Sequence, residues 1–157
     1  MSNDSSSATT IVLNQRLHHH HAHAHAHAHS ILSLTASERT RSRHIFTTDD
    51  GIAVALQLPR GTTLQDGDLL ASERSETIVR ISAKPEPVIT VISEDALTLL
   101  RAAYHLGNRH VSLEISPTYL RFSPDPVLEG MLVQLGLQIV SEVAPFYPQG
   151  GAYHHQH

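Results

Sequence analysis

The chain has 157 residues, with 11 Lys and Arg, 15 Asp and Glu and 14 His, and a formal net charge of -4 with the histidines neutral. It has no cysteine, which excludes disulfides, thiolate nucleophiles and cysteine-based zinc or iron–sulfur sites together. No Lys/Arg block suggests a nucleic-acid surface, and no apolar run approaches the roughly 18–20 residues needed to cross a bilayer.

The N-terminus lacks a basic start and an apolar signal core, so a soluble cytoplasmic protein is expected, with no membrane and no nucleic-acid partner. Residues 1–10 are rich in Ser, Asn and Thr without periodicity and are expected to be disordered. The short apolar run 11–13 is a candidate first strand, and the histidine tract comes after it. ILSLT (31–35) and RSRHIF (41–46) read as strand pieces. TTDDG (47–51) is an Asp-Gly turn signal before the β-run IAVALQLP (52–59). PRG (59–61) and QDGDLL (65–70) mark further turns before the strand ETIVRIS (76–82). Short strands with a turn every ten residues or so predict a small antiparallel sandwich or barrel over 11–83.

AKPEP (83–87) is an extended connector, since two prolines stand within three residues. Beyond it VITVI (88–92) reads as a strand. Ser93 then caps a helix with Glu94 and Asp95 in its first turn, where the dipole favours acids. Ala96, Leu99, Leu100, Ala103 and Leu106 give that helix one apolar face, and Gly107-Asn108 ends it. HVSLEIS (110–116) alternates, with Val111, Leu113 and Ile115 expected inward and His110, Ser112 and Glu114 outward. YLRF (119–122) is a further strand. Asp125-Pro126 starts a second helix with Leu128, Met131, Leu132 and Leu135 as its stripe, closed by Gly136, and LQIVSEV (137–143) is the last strand. The order β-α-β-β-α-β predicts a ferredoxin-like domain over 84–146. The fold class is therefore α+β, with a flexible histidine-containing tail at 147–157.

Histidine is placed to do chemistry at three points. LHHHHAHAHAHAHS (17–30) holds eight histidines: His18, His19, His20, His21, His23, His25, His27 and His29. Neutral imidazole suits zinc, copper, iron and nickel. Extended, the alternate histidines stand about 6.5–7 Å apart, whereas a metal–imidazole bond is only ~2.1 Å. The segment must therefore fold around an ion, and its many overlapping ligand sets favour capacity and exchange over one rigid site. The bland alternatives are a solvated loop or an affinity tag; against a tag, the tract lies inside the chain and is broken by Ala.

YHLGNRH (104–110) carries His105 and His110. In a ferredoxin-like fold both helices cover one side of the sheet, leaving the face that carries His110 free for a partner. A two-fold axis close to His110 would build a site from two halves. The plain alternative is a surface histidine, and for His105 a partner for the helix C-terminus. The tail HHQH supplies His154, His155 and His157, able to close over a metal held elsewhere. Any metal held through imidazole is expected to leave as pH falls through about 6.5.

LPRGTTLQDGDLL (58–70), PEPV (85–88), RAAYHLGNRHV (101–111), VLEGMLVQLG (127–136) and APFYPQGGAY (144–153) together resemble the urease accessory protein E family, over roughly residue 31 to the C-terminus. The resemblance implies a nickel metallochaperone for urease maturation, with an N-terminal peptide-binding β-domain and a C-terminal ferredoxin-like metal domain. It implies a homodimer with nickel at its interface, and partners in the GTPase accessory protein of the pathway and the urease apoprotein. His110 matches the motif histidine that supplies the interface ligand, and His154, His155 and His157 occupy the place of the family's histidine-rich tail. His105 matches a motif histidine that is not the interface ligand. FSPDP (122–126) lacks the extra histidines some members carry before the second helix. The tract at 18–29 is unusual in position and reads as a second, low-affinity reservoir.

Nickel comes from the resemblance alone, since Irving–Williams order puts Cu²⁺ above Ni²⁺ at any nitrogen site and Zn²⁺ competes as well. Two alternatives stand beside the chaperone. One is a nickel or zinc store in which tract and tail are the working parts. The other is a hydrolase using His105 or His110 as base, disfavoured because no Ser, Cys or carboxylate motif stands at a recognisable spacing.

Overall fold

A computed structural model of the chain describes residues 9–18, 28–74 and 76–151. Expectations placed on 1–8, 19–27 and 152–157 lie outside the described residues, among them His19, His20, His21, His23, His25, His27, His154, His155 and His157. The chain divides into two compact units, Met1–Ala83 and Lys84–His157.

The first unit holds β1 (Ile11–Leu13), β2 (Gln15–Leu17), β3 (Ser30–Leu34), β4 (Arg43–Thr47), β5 (Ala53–Gln57), β6 (Leu69–Ala71) and β7 (Ile78–Ala83). They form two sheets, ordered β1-β5-β4 and β2-β6-β7-β3. Leu13, Val54 and Leu56 from the first sheet and Leu32, Leu34, Val79 and Ile81 from the second enter one core, each no more than 2% exposed. The unit is thus a sandwich. It is mostly antiparallel, with one parallel pair in each sheet, β1–β5 and β3–β7. Two strands and a 3-10 turn at Glu38–Thr40 went unsignalled by the sequence pattern. β2 spans only three residues, and β6 (Leu69, Leu70, Ala71) is buried on both faces, so neither displays a period of two.

The Asp-Gly signal makes the β4–β5 hairpin. Thr48 N–H donates to the Ile52 carbonyl at 2.8 Å and Gly51 takes φ +88, the left-handed conformation this turn demands. The hairpin is also tied to β3 in the other sheet. Asp50 accepts from the Thr48 hydroxyl at 2.7 Å and from the Ser30 hydroxyl at 3.0 Å, and Asp49 accepts from the Ser33 hydroxyl at 2.7 Å. The Thr48 and Ser30 hydroxyls, Thr48 first, hold the Asp50 carboxyl below the usual aspartate range.

The second unit runs β8 (Glu86–Ile92), α1 (Ala96–Asn108), β9 (Glu114–Ile115), β10 (Tyr119–Phe122), α2 (Pro126–Gln134) and β11 (Gln138–Ala144). The sheet order β11-β8-β10-β9, with every pair antiparallel, is the ferredoxin-like arrangement expected. Ile89, Val91, Leu120 and Phe122 meet Leu99, Ala102, Leu106 and Leu132 in its core.

Three details differ from expectation. The cap of α1 is Asp95, which accepts from Leu97 N–H and Thr98 N–H, while Ser93 receives the Asp95 N–H. Its inward face is Leu99, Ala102 and Leu106, leaving Leu100 67% exposed. Choosing Ala102 over Leu100 turns the face by less than a third of a turn, which an alanine-rich stripe cannot announce. Leu135 likewise lies past the end of α2 and is 44% exposed. The second helix starts as expected, with Asp125 accepting from Val127 N–H and Leu128 N–H and Pro126 next; in addition, Glu129 accepts from Asp125 N–H at 3.1 Å.

Both carboxylate ties are open to measurement. Asp125→Ala should cost about 1 kcal/mol, read as a lowered urea midpoint with the slope unchanged. Asp50 has a folded pKa below its unfolded value, so its stabilisation is present above about pH 4 and is lost as pH falls through the folded pKa. Asp50→Asn should therefore flatten the acid limb of a melting-temperature profile and leave its slope near neutrality unchanged.

Candidate metal site

α1 and α2 end by the same hydrogen-bond scheme, with different residues at the critical position. At α2, Gly136 N–H donates to Val133 C=O at 3.0 Å and Leu137 N–H to Leu132 C=O at 3.0 Å, with Gly136 at φ +85. At α1, His110 N–H donates to Gly107 C=O at 3.0 Å and Val111 N–H to Leu106 C=O at 3.3 Å, with His110 at φ 56. Both are Schellman closures, completed at α1 by an apolar contact: Val111 packs in the same cluster as Leu106. Glycine fills this left-handed position without strain, whereas a residue with a Cβ is strained there. Among the described residues His110 is the one non-glycine with positive φ. It is exposed, and it stands at the negative end of the α1 dipole, which favours a cation.

This closure corrects the expected strand. His110 does not open a β-run: residues 111–113 have no strand structure and β9 is only Glu114–Ile115. Because the left-handed turn resets the chain, the alternation His110, Ser112, Glu114 never forms one face. Ile115 is 53% exposed and Glu114 only 7% exposed, the reverse of expectation.

The sheet face opposite the helices is correspondingly not bare. Arg121 donates to Thr90 Oγ1 at 3.0 Å and to Glu142 Oε1 at 3.0 Å, reaches Glu114 Oε1 at 3.4 Å, and lies 4.7 Å over the Tyr119 ring. Thr90 also donates to Glu142, and Tyr119 Oη donates to Glu114 Oε1 at 3.1 Å. The Thr90 hydroxyl first, then Arg121, hold the Glu142 carboxyl below its usual range.

The segment after β11 joins this network. Phe146 is 2% exposed, Tyr147 N–H donates to Glu114 Oε2 at 3.0 Å, and Gln149 N–H donates to the Leu113 carbonyl at 2.7 Å. Leu113 is three residues beyond His110, at most about 11 Å along the chain. Residues 147–149 are thus pinned on the segment that follows the exposed His110. Sequence spacing gave no sign of this pairing between residues 113–114 and 147–149.

The remaining described histidines have other surroundings. His105, in the last turn of α1, is half-buried; its carbonyl accepts from Arg109 Nη1 at 2.9 Å and its ring stands edge-on to Tyr104, centroids 5.6 Å apart. His18 is exposed at the end of β2. His29 is bound into the sandwich: its N–H donates to Ile78 C=O at 2.9 Å, and its Nδ1 accepts from Ile78 N–H at 3.2 Å. A nitrogen that accepts holds its lone pair inward, so the neutral ring carries its proton on Nε2 and offers no free donor pair. A metal at His29 would first have to displace Ile78. The tract's two ends emerge from β2 and β3, opposite edges of one sheet, about 14 Å apart across three strand spacings. Among the described residues no three His, Asp or Glu side chains are grouped to hold a metal ion.

Comparison with known proteins agrees across both units. The model of the UreE urease accessory protein N-terminal domain matches residues 13–84, and that of the C-terminal domain matches residues 86–157. A urease accessory protein UreE from Nostoc sp. is 60% identical over 126 residues, covering 80% of this chain and 86% of that protein. The protein of the same name from Nostoc punctiforme is 60% identical over 129 residues, covering 80% of this chain and 87% of that protein. That of Thermosynechococcus vestitus is 55% identical over 123 residues, covering 78% of this chain and 85% of that protein.

The closure of α1 carries its own test. His110→Gly should stabilise the fold by about 1 kcal/mol, because it removes the left-handed strain, and His110→Val should destabilise it. Equal denaturation midpoints for all three proteins would show that position 110 carries no strain.

Proposed function

Because the chain belongs to the UreE urease accessory protein family, we propose that it takes up Ni²⁺ and delivers it for assembly of the urease active site. It is an accessory protein and not an enzyme. The nickel is cargo. In this reading two chains meet near His110, and the paired imidazoles with His154, His155 or His157 from the tails hold one ion. Transfer proceeds in the cytoplasm through a complex with the GTPase accessory protein and the urease apoprotein.

The observation that carries the reading is the pinning of residues 147–149 on Leu113 and Glu114. From Gln149 to His154 is five residues, about 18 Å at full stretch, which brings the tail within reach of His110. A lone exposed imidazole binds metal weakly, so completion must come from outside the described residues or from a second copy. Support for the second copy comes from α1, whose outer side presents Leu97, Leu100 and Tyr104 at 51%, 67% and 68% exposure. These fall at i, i+3 and i+7 on the helix that ends at His110. An apolar stripe on this scale suits a self-complementary contact. All-nitrogen ligation without thiolate suits an ion that must leave again.

The histidines at 19–27 act here as a reservoir, joined by His18, while His29 serves the sandwich. Calorimetric titration with Ni²⁺ checks the division. The full chain should bind one ion tightly per two chains and several weakly. Replacing His19, His20, His21, His23, His25 and His27 by Ser should remove the weak class and spare the tight ion. His110→Ala should remove the tight ion and spare the weak class, and lowering the pH from about 7.5 to 5.5 should release both. If the tight ion vanishes with the tract and survives His110→Ala, the protein is a metal store and the delivery reading fails.

A further inference from the structure

We propose that β11 is a docking edge for a second copy of the chain, the two strands pairing antiparallel about a two-fold axis at Ser141. This contact is separate from the one proposed near His110 and does not rest on it.

An open sheet edge invites another strand, and folded proteins blunt such edges with short strands, charged side chains, prolines or covering segments. Among the described residues every edge but β11 is blunted. β1 and β2 span three residues each and β9 two. β4 carries Arg43 and His44. The open side of β3 is taken by Asp49, whose N–H donates to Ile31 C=O at 2.8 Å and whose Oδ1 accepts from Ser33 N–H at 3.3 Å. β11 spans seven residues, QIVSEVA, without Lys, Arg or Pro. Its one charge, Glu142, is drawn back to Arg121 of its own sheet at 3.0 Å, and Val143 is 69% exposed.

The register of the sheet shows which groups β11 offers. Ser116 N–H donates to Tyr119 C=O at 3.0 Å, so Tyr119 and Arg121 turn their backbone groups to β9. Alternation then turns Leu120 and Phe122 to β8, Ile89 and Val91 to β10, and Val88 and Thr90 to β11. Their partners there are Glu142 and Val140. Ile139, Ser141 and Val143 are left with N–H and C=O pointing outward. Pro87, which has no N–H, stands opposite Val143, where the ladder needs none.

A two-fold axis at Ser141 uses all three outward residues. Ser141 meets Ser141 of the second copy, and Ile139 meets Val143 at both ends, an apolar cross-strand pair each time. Glu142 falls opposite Val140. An axis at Glu142 would set the two carboxylates face to face, and an axis at Val140 would leave Val143 unpaired. A slip by one residue would bring outward groups against inward ones. The edge is thus complementary to itself in one register.

The chain has no cysteine, so an introduced thiol reports the pairing. Hydrogen-bonded partners stand about 5.5 Å apart at Cα, within disulfide reach, whereas the two copies of residue 143 would stand about 14 Å apart along the strands. Ser141→Cys, Val143→Cys and Ile45→Cys, the last at the middle of β4, are oxidised with diamide in the full chain with EDTA present, so that no metal bridges the copies. Ser141→Cys should link into pairs and the other two should not. Linking at 143 as readily as at 141 would mean random collision, and linking at 45 alone would move the contact to β4; either overturns the proposal. Sedimentation equilibrium, again in EDTA, supplies the second reading. Leu100→Glu, which removes the contact proposed at α1, should leave the chains paired, and adding Val143→Lys should weaken that pairing on the order of tenfold. Single chains from Leu100→Glu, or pairing indifferent to Val143→Lys, would contradict an interface at β11.

Discussion

The site depends on how α1 ends. A Schellman closure needs a residue in the left-handed region, and α2 meets that need with Gly136. At α1 the same closure is made with His110, at the cost of strain that a glycine would avoid. The closure lifts the imidazole clear of the helix, at the negative end of its dipole, and turns the chain so that Val111 falls back onto the core while residue 110 stays outside. A less stable closure is thus combined with an exposed donor, the combination expected where position 110 serves a ligand more than the fold.

The chain beyond His110 is organised around the same corner. It needs only three residues to reach Leu113 and Glu114, and there it meets residues 147–149 returning from β11. The polar network of Glu114, Tyr119, Arg121, Thr90 and Glu142 makes the far face of the sheet a fixed platform. On this platform the end of a long chain is brought back beside a loop that it never approaches in sequence. The sandwich of the first unit uses one histidine of the tract in its own fold, His29, through Ile78.

Much of the fold was legible in the sequence because its signals are local. Asp125-Pro126, the Asp-Gly hairpin and the short apolar runs of β8 and β10 each state their own geometry, and the βαββαβ order follows from such signals. The misreadings arise where local signals compete or fall silent. Ser93 and Asp95 are both good caps, and only the packing of α1 decides between them. Leu100 and Ala102 stand roughly 160° apart around α1, and the larger side chain proved to be the exposed one. β6 shows no alternation because both its faces are covered. The strand expected at 110–116 shrinks to Glu114–Ile115 since His110 gives no warning that it will adopt a glycine's conformation. Of the candidate site, His110 was found through its motif, whereas Glu114 was read as surface because its partners lie at 119, 121 and 147 and no spacing rule connects them.

The central claim is that His110 contributes to one ion shared by two chains. The most direct measurement is native mass spectrometry of the protein mixed with its His110→Ala variant and loaded with one equivalent of Ni²⁺ per pair of chains, the tract histidines at 19–27 replaced by Ser. Nickel should be retained by pairs of unmodified chains, weakly retained by mixed pairs and absent from pairs of variant chains. Nickel carried by single chains, or retained equally by all three pairings, would contradict the claim.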